Sequence, residues 1–209
     1  MDIVYRTYPC DISICSCQHI SGKGFACTAT EKTMIKHRAE LYKLLPPNSV
    51  IAEIGTAEGY FASDMLAWPV TKKLYVVDNW GTIPNQSGDG NNPQEWHNKN
   101  YSDAMLRLNF DIEKVVVLRG ISWDMAASVP DNSLDLLYID CCHTYQCVKA
   151  DINAWIGKVK KGGIVAFHDY ENRAYGVKQA VEEFCNGKYK IELLPENKPE
   201  DAGAYFINQ

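Results

Sequence analysis

The stretch from Val50 to Tyr60 is an apolar run that carries one carboxylate, Glu53, and ends in three small positions, Gly55, Ala57 and Gly59. Phe61, Met65 and Leu66 follow at helical spacing, so a strand, a tight turn and a helix succeed one another. Small residues at the turn allow backbone conformations and close approaches that a side chain would block. The free N–H groups at the start of the helix suit the polar edge of a nucleotide-type ligand, although glycine-rich turns of this kind also occur as plain structure.

The rest of the chain continues the alternation. Predicted strands at 74–77, 115–118, 134–139 and 164–167 end at Asp78, at the Gly120-Ile121-Ser122-Trp123 run, at Asp140 and at His168-Asp169. A capping box, Thr28-x-x-Glu31, opens a helix with Met34, Leu41, Leu44 and Leu45 on one side, stopped by Pro46 and Pro47. Further helices are expected at 101–109, from Tyr145 onward with Val148, Ile152 and Trp155, and at 177–184. Gly162-Gly163 reads as a turn before the fifth strand, and 189–194 with 204–207 read as a closing antiparallel pair. Residues 1–27 form a Cys-rich arm and 28–209 one α/β domain with a mostly parallel sheet. Residues 79–100, with Trp80, Trp96 and His97, make a longer connection than usual and read as a lid.

A formal charge of -5 without a clustered basic stretch argues against a nucleic-acid partner. No apolar run reaches the roughly 18 residues of a membrane span, and the first residues carry no secretory pattern, so a cytoplasmic protein is expected. The eight cysteines miss the paired spacing of a zinc site and read mainly as free thiols.

Functional groups in such sheets gather beyond the carboxyl ends of the strands. Asp78, at the end of the second strand, is placed to accept from ribose hydroxyls. Asp140, His143, His168 and Asp169 come from two further strand ends and could hold a divalent ion through two carboxylates and an imidazole, with Asn172 a weaker candidate. A His168 ligand would favour manganese, iron or zinc over magnesium. His143 could instead take a proton from a hydroxyl in the cleft. The plainer alternative is that Asp140 and His143 cap the next helix and Asp169 orders its loop. His19, His37 and His97 read as surface residues, with His97 the one expected to see substrate.

With these residues assembled, residues 28–209 resemble a class I S-adenosylmethionine-dependent methyltransferase. The first motif is the stretch from Glu53 to Gly59, and the second is Val76-Val77-Asp78. The segment from Tyr138 to Tyr145 and the Gly162-Gly163 to His168-Asp169 ending are similar to small O-methyltransferases related to the macrocin and cephalosporin-biosynthesis enzymes. The resemblance implies a Rossmann-like, mostly parallel seven-stranded sheet with helices on both faces and an antiparallel C-terminal pair. It implies cofactor contacts from Glu53, Gly55, Ala57, Gly59, Asp78, Ile121, Ser122, Trp123 and Asp140, with His143 as catalytic base. It also implies a magnesium or manganese site at Asp140, His168 and Asp169, where His168 departs from the aspartate of the related catechol-type enzymes. The expected acceptor is a hydroxylated small molecule, a sugar or a catechol-like diol, and a homo-oligomer is open. Metal-independent or nitrogen-directed transfer and a non-catalytic cofactor-binding protein remain as alternatives, and a dehydrogenase is disfavoured by Ala57 in the first turn.

Overall fold

Seven strands form one sheet in the order β3-β2-β1-β4-β5-β7-β6. The computed structural model describes residues 35–83 and 88–209. The Cys-rich arm, the capping box at Thr28 and Glu31, Met34, His19 and residues 84–87 of the expected lid lie outside them. Strands β1 (Ser49–Ile54), β2 (Thr71–Asp78), β3 (Val115–Arg119), β4 (Leu134–Ile139) and β5 (Val159–Phe167) are parallel. β7 (Gly203–Ile207) runs antiparallel to both β5 and β6 (Glu192–Leu194). This is the Rossmann-like arrangement expected, including its antiparallel end.

The central strands are apolar on both faces because helices cover both sides, and alternate residues feed two separate cores. On one face Ile54, Leu137, Ile139, Val165 and Phe167 pack with α4 (Tyr145–Trp155) and α5 (Val177–Cys185). On the other, Ile51, Leu136, Tyr138, Ile164 and Ala166 pack with α1 (Tyr60–Ala67), α2 (Gln94–Leu108) and the 3-10 helix Arg38–Leu44. The buried carboxylate Asp135, on β4, is satisfied at the edge of the sheet remote from the strand ends. It accepts from Val50 N at 2.9 Å and from Lys160 Nζ at 2.8 Å.

Three local expectations are corrected. The helix before Pro46 is a 3-10 helix in its described part, started by the His37 ring, whose Nδ1 accepts from Ala39 N at 3.1 Å. Gly162 and Gly163 lie inside β5 rather than before it, at a bulge where the register with β4 slips between Leu134 and Leu136. Gly162 has φ +82°, which glycine adopts without strain, and its N–H pairs with Asn208 O at 2.7 Å. α2 begins at Gln94, so the last seven residues of the expected connection are helix. Its buried face includes His97 and Asn100, polar residues that mask the apolar period.

A short helix, α3 (Ser122–Met125), follows β3. It is fastened to α4 by two bonds: the Ser122 hydroxyl donates to Asp151, and Trp155 Nε1 donates to Ser122 O at 3.1 Å. Asp151 and Trp155 are fully buried, and Asp151 Oδ2 has no partner. Burial pushes the Asp151 carboxyl from its ordinary 3.8 up to about 6, against the Ser122 bond that opposes the rise. The folded state therefore holds this proton more tightly than the unfolded chain does. Its contribution to stability is complete below pH 3.8 and is lost as pH rises through about 6. Asp151→Asn should remove a pH-dependent loss on the order of 3 kcal/mol between those limits. Urea melts of both proteins at intervals across that range would check it; parallel curves would refute the assignment.

Candidate functional site

The site is built where β1, β2, β4 and β5 end side by side. Three backbone bonds carry the ladder past the strands: Gly55 N to Val77 O at 2.8 Å, Asp140 N to Ile54 O at 2.8 Å, and His168 N to Ile139 O at 3.0 Å. The chain after β1 turns through left-handed conformations at Gly55 (φ +92°), Ala57 (φ +47°) and Gly59 (φ +77°). Gly55 is required twice over, since a Cβ there would meet Asp140 O at 2.0 Å.

Around this turn, Glu53 is 2% exposed and its Oε2 has no hydrogen-bond partner. Thr56 Oγ1 is likewise buried and unpartnered. Burial raises the Glu53 carboxyl well above its usual range. Asp78 accepts from Ala57 N and from Trp80 N, each at 2.8 Å, and Trp80 Nε1 donates to Ala57 O at 2.8 Å. Trp80 is thus a buried strut of the turn rather than part of an open lid. Orphaned oxygens at Glu53 and Thr56, beside a cradle that a Cβ would fill, fit a polar ligand lying over the turn.

Ile121 stands just before α3, next to Gly120, whose N–H donates to Asp78 O at 3.0 Å. Trp123 is 40% exposed. The Ser122 hydroxyl is committed to Asp151, which leaves the backbone of the run for a ligand.

The second cluster brings together all four polar residues expected at the ends of β4 and β5. His143 Nε2 lies 3.0 Å from Asp169 Oδ2 and 3.5 Å from Asp140 Oδ1. His168 Nδ1 lies 3.1 Å and 3.5 Å from the same two oxygens. Asp140, His143 and Asp169 offer ligand atoms within 4.8 Å of one another, a donor set that fits a divalent cation. His143 thus stands in the closest set, where the sequence pointed to His168. Burial lowers the His143 pKa, but Asp140 and Asp169 outweigh it and raise it to about 9. The ring then carries its proton at neutral pH. Burial opposes the Asp169 charge, yet the two imidazoles hold this carboxyl below its usual range.

The plainer alternative loses its basis, because Thr144 caps α4 by accepting from Cys147 N at 3.3 Å. Asn172 is spent on its own turn, where its Oδ1 accepts from Ala174 N at 3.1 Å. Among the described residues, Cys141, Cys147 and Cys185 are free thiols, as expected.

Sequence reading missed Arg38, Tyr175 and Glu196. Arg38 Nη1 lies 3.9 Å from Asp140 Oδ2 and donates to Tyr138 OH at 3.4 Å, and its guanidinium sits 4.8 Å over the Phe61 ring. Its Nε is 3.6 Å from Glu196, which also pairs with His37 at 2.7 Å, so His37 is not merely a surface residue. Tyr175 stacks on His143 with ring centres 4.5 Å apart. None of these sits in a motif; each arrives from a distant part of the chain.

The family described as a methyltransferase domain matches residues 52–170, a span that holds the turn and the second cluster. Uncharacterized protein y4gI of Sinorhizobium fredii (strain NBRC 101917 / NGR234) is 29% identical over 130 residues, 60% of this chain and 14% of that protein. Uncharacterized protein R132 of Acanthamoeba polyphaga mimivirus is 29% identical over 156 residues, 68% of this chain and 65% of that protein. The chain therefore spans less than two thirds of either relative. Among solved structures, the calicheamicin methyltransferase CalS11 matches with a TM-score of 0.59 at 19% identity, covering 80% of this chain and 75% of that one. The O-methyltransferase NovP matches with a TM-score of 0.57 at 23% identity, covering 82% and 75%. SMU.1697c from Streptococcus mutans, solved in complex with SAH, gives 0.60 at 15% identity, covering 84% and 100%. An rRNA methylase from Streptococcus thermophilus matches equally well, with a TM-score of 0.58 at 15% identity over 80% and 91%, so the fold does not select the acceptor.

Gly55→Ala would set a methyl group into the Asp140 carbonyl in a strained backbone conformation. The expected result is a destabilisation on the order of 3 kcal/mol, with loss of ligand binding at the turn. Thermal melts and titration with S-adenosylhomocysteine check both; a variant that melts and binds like the parent would refute the close approach.

Proposed function

We propose a reaction from one established premise: the chain belongs to the methyltransferase-domain family. It transfers the methyl group of S-adenosylmethionine to a hydroxyl of a small molecule, a sugar or a catechol-like vicinal diol, with assistance from a divalent cation. The observation that carries this reading is the meeting, at one sheet edge, of the Gly55–Gly59 turn and Asp78 with the Asp140, His143, His168 and Asp169 cluster. The acidic charge of -5 supports a small-molecule acceptor rather than a nucleic acid. Among the described residues no helix is long and apolar enough to cross a membrane.

When bound, S-adenosylmethionine supplies a sulfonium methyl that is already reactive, so the protein's main task is alignment. Glu53, Gly55, Ala57 and Gly59 line its place, Asp78 accepts from its ribose, and the backbone of 121–123 flanks the adenine. A magnesium or manganese ion would be held by Asp140, Asp169 and an imidazole, and would lower the pKa of the acceptor hydroxyl. His168 and His143 both stand within reach of the carboxylates, so His168 can serve as ligand, and His143 would take the acceptor proton once a bound ion draws off the carboxylate charge that keeps its ring protonated. Tyr175, stacked on His143, fixes the ring plane.

A second reading, transfer without a cation, is favoured by one observation. Arg38 and the two imidazoles already balance Asp140 and Asp169.

Calorimetric titration with S-adenosylmethionine and S-adenosylhomocysteine, in EDTA and then with magnesium or manganese, tests the cofactor. Release of S-adenosylhomocysteine over a panel of glycosides and catechols then tests the acceptor. Asp169→Asn should leave S-adenosylhomocysteine binding within about threefold and lower turnover by roughly 100-fold or more. Full turnover in EDTA would give the mechanism to the second reading, and failure to bind either cofactor form would sink the proposal.

A further inference from the structure

One face of α2 lies across the turn after β1. Ala104 sits against Gly59, where an added Cβ would come within 3.0 Å of the Ala104 backbone. One turn earlier, Tyr101 meets the Trp80 ring edge-on with centres 5.1 Å apart. At the start of the helix, Gln94 Nε2 donates to Trp80 O at 3.1 Å. His97 falls between Gln94 and Tyr101 at spacings of three and four, on the same buried face.

His97 is 6% exposed, and its Nε2 is shut off from solvent with no hydrogen-bond partner. A buried ring nitrogen left unpaired is unfavourable and calls for an explanation. The nearby carboxyl is Asp78. Burial pushes Asp78 up, the N–H groups of Trp80 and Ala57 pull it down, and His97 adds a further downward pull. The two side chains therefore feel each other without bonding.

A sugar hydroxyl has the chemistry to join them, because it donates one proton and accepts another. Asp78, acceptor-only when ionised, takes the hydroxyl proton; the imidazole Nε2–H donates to the same oxygen. We propose that His97 is a cofactor-binding residue that hydrogen-bonds, from α2, the ribose hydroxyl that Asp78 holds from the sheet. This rests on the assignment of the turn to S-adenosylmethionine, and it makes α2 the second wall of that site.

The test uses S-adenosylhomocysteine and its 2′,3′-dideoxy analogue with the full chain. His97→Ala should weaken S-adenosylhomocysteine binding on the order of fivefold while leaving the affinity for the dideoxy analogue as in the parent. Equal loss for both ligands, or no loss for either, overturns the proposal. In the unaltered chain, the His97 Nε2 nitrogen resonance should move on adding S-adenosylhomocysteine and stay in place with the dideoxy analogue; movement with both also overturns it. That spectrum keeps the question answerable if the variant folds poorly. A parent protein that binds neither ligand fails in a different way, since it removes the cofactor assignment itself.

Discussion

The contact on which the rest depends is the approach of Gly55 to the Asp140 carbonyl, too close for any Cβ. It joins the turn after β1 to the loop after β4. The Asp140 N–H bond to Ile54 O fastens the same junction, and the His168 N–H bond to Ile139 O extends it to the end of β5. Three strand ends are thereby held in register by backbone atoms alone. Side chains that hang from them, Glu53, Asp140, His168 and Asp169, inherit positions that no long or flexible connection could hold. Asp169 sits at φ +53°, unusual for a residue with a side chain, and the surrounding ladder maintains it.

Carboxylates in this fold divide by what satisfies them. Asp135 lies far from the strand ends and is fully bonded, by Val50 N and Lys160, so it has nothing left to offer a ligand. Asp151 is half satisfied and buried, and burial pushes its pKa up to about 6 instead. Asp140 and Asp169 share two imidazoles and an arginine, a cluster in which charge can be redistributed at small cost when a ligand enters. The difference is one of partners, not of residue type, and only the last pair is arranged for exchange.

Much of the sheet was legible because its strands are apolar runs that stop at polar residues, as at Asp78, Asp140 and His168. The same signal located the two halves of the site, since strand ends on one edge must converge. It failed where burial is polar. His97 and Asn100 hide the start of α2 from a hydrophobic period, and Gly162-Gly163 mimics a turn while bulging inside β5. Arg38, Tyr175 and Glu196 were out of reach for another reason: their contacts join segments separated by up to about 160 positions, and no local pattern announces such a pairing. The Ser122 hydroxyl is likewise spent on a long-range bond, to Asp151, that no local pattern announces.

Glu53 adds a final constraint on how the site treats its cofactor. A carboxylate aimed at the sulfonium would stabilise a positive charge that disappears during transfer, and so raise the barrier. Burial with Oε2 unpartnered favours the neutral form of Glu53, which can bond a polar group of the ligand without adding a full negative charge. Burial also raises Asp78, at the end of the neighbouring strand, but there two backbone N–H bonds oppose the rise. The two acids thus differ by environment: two backbone N–H groups favour the charged form of Asp78, and Oε2 of Glu53 has no such partner.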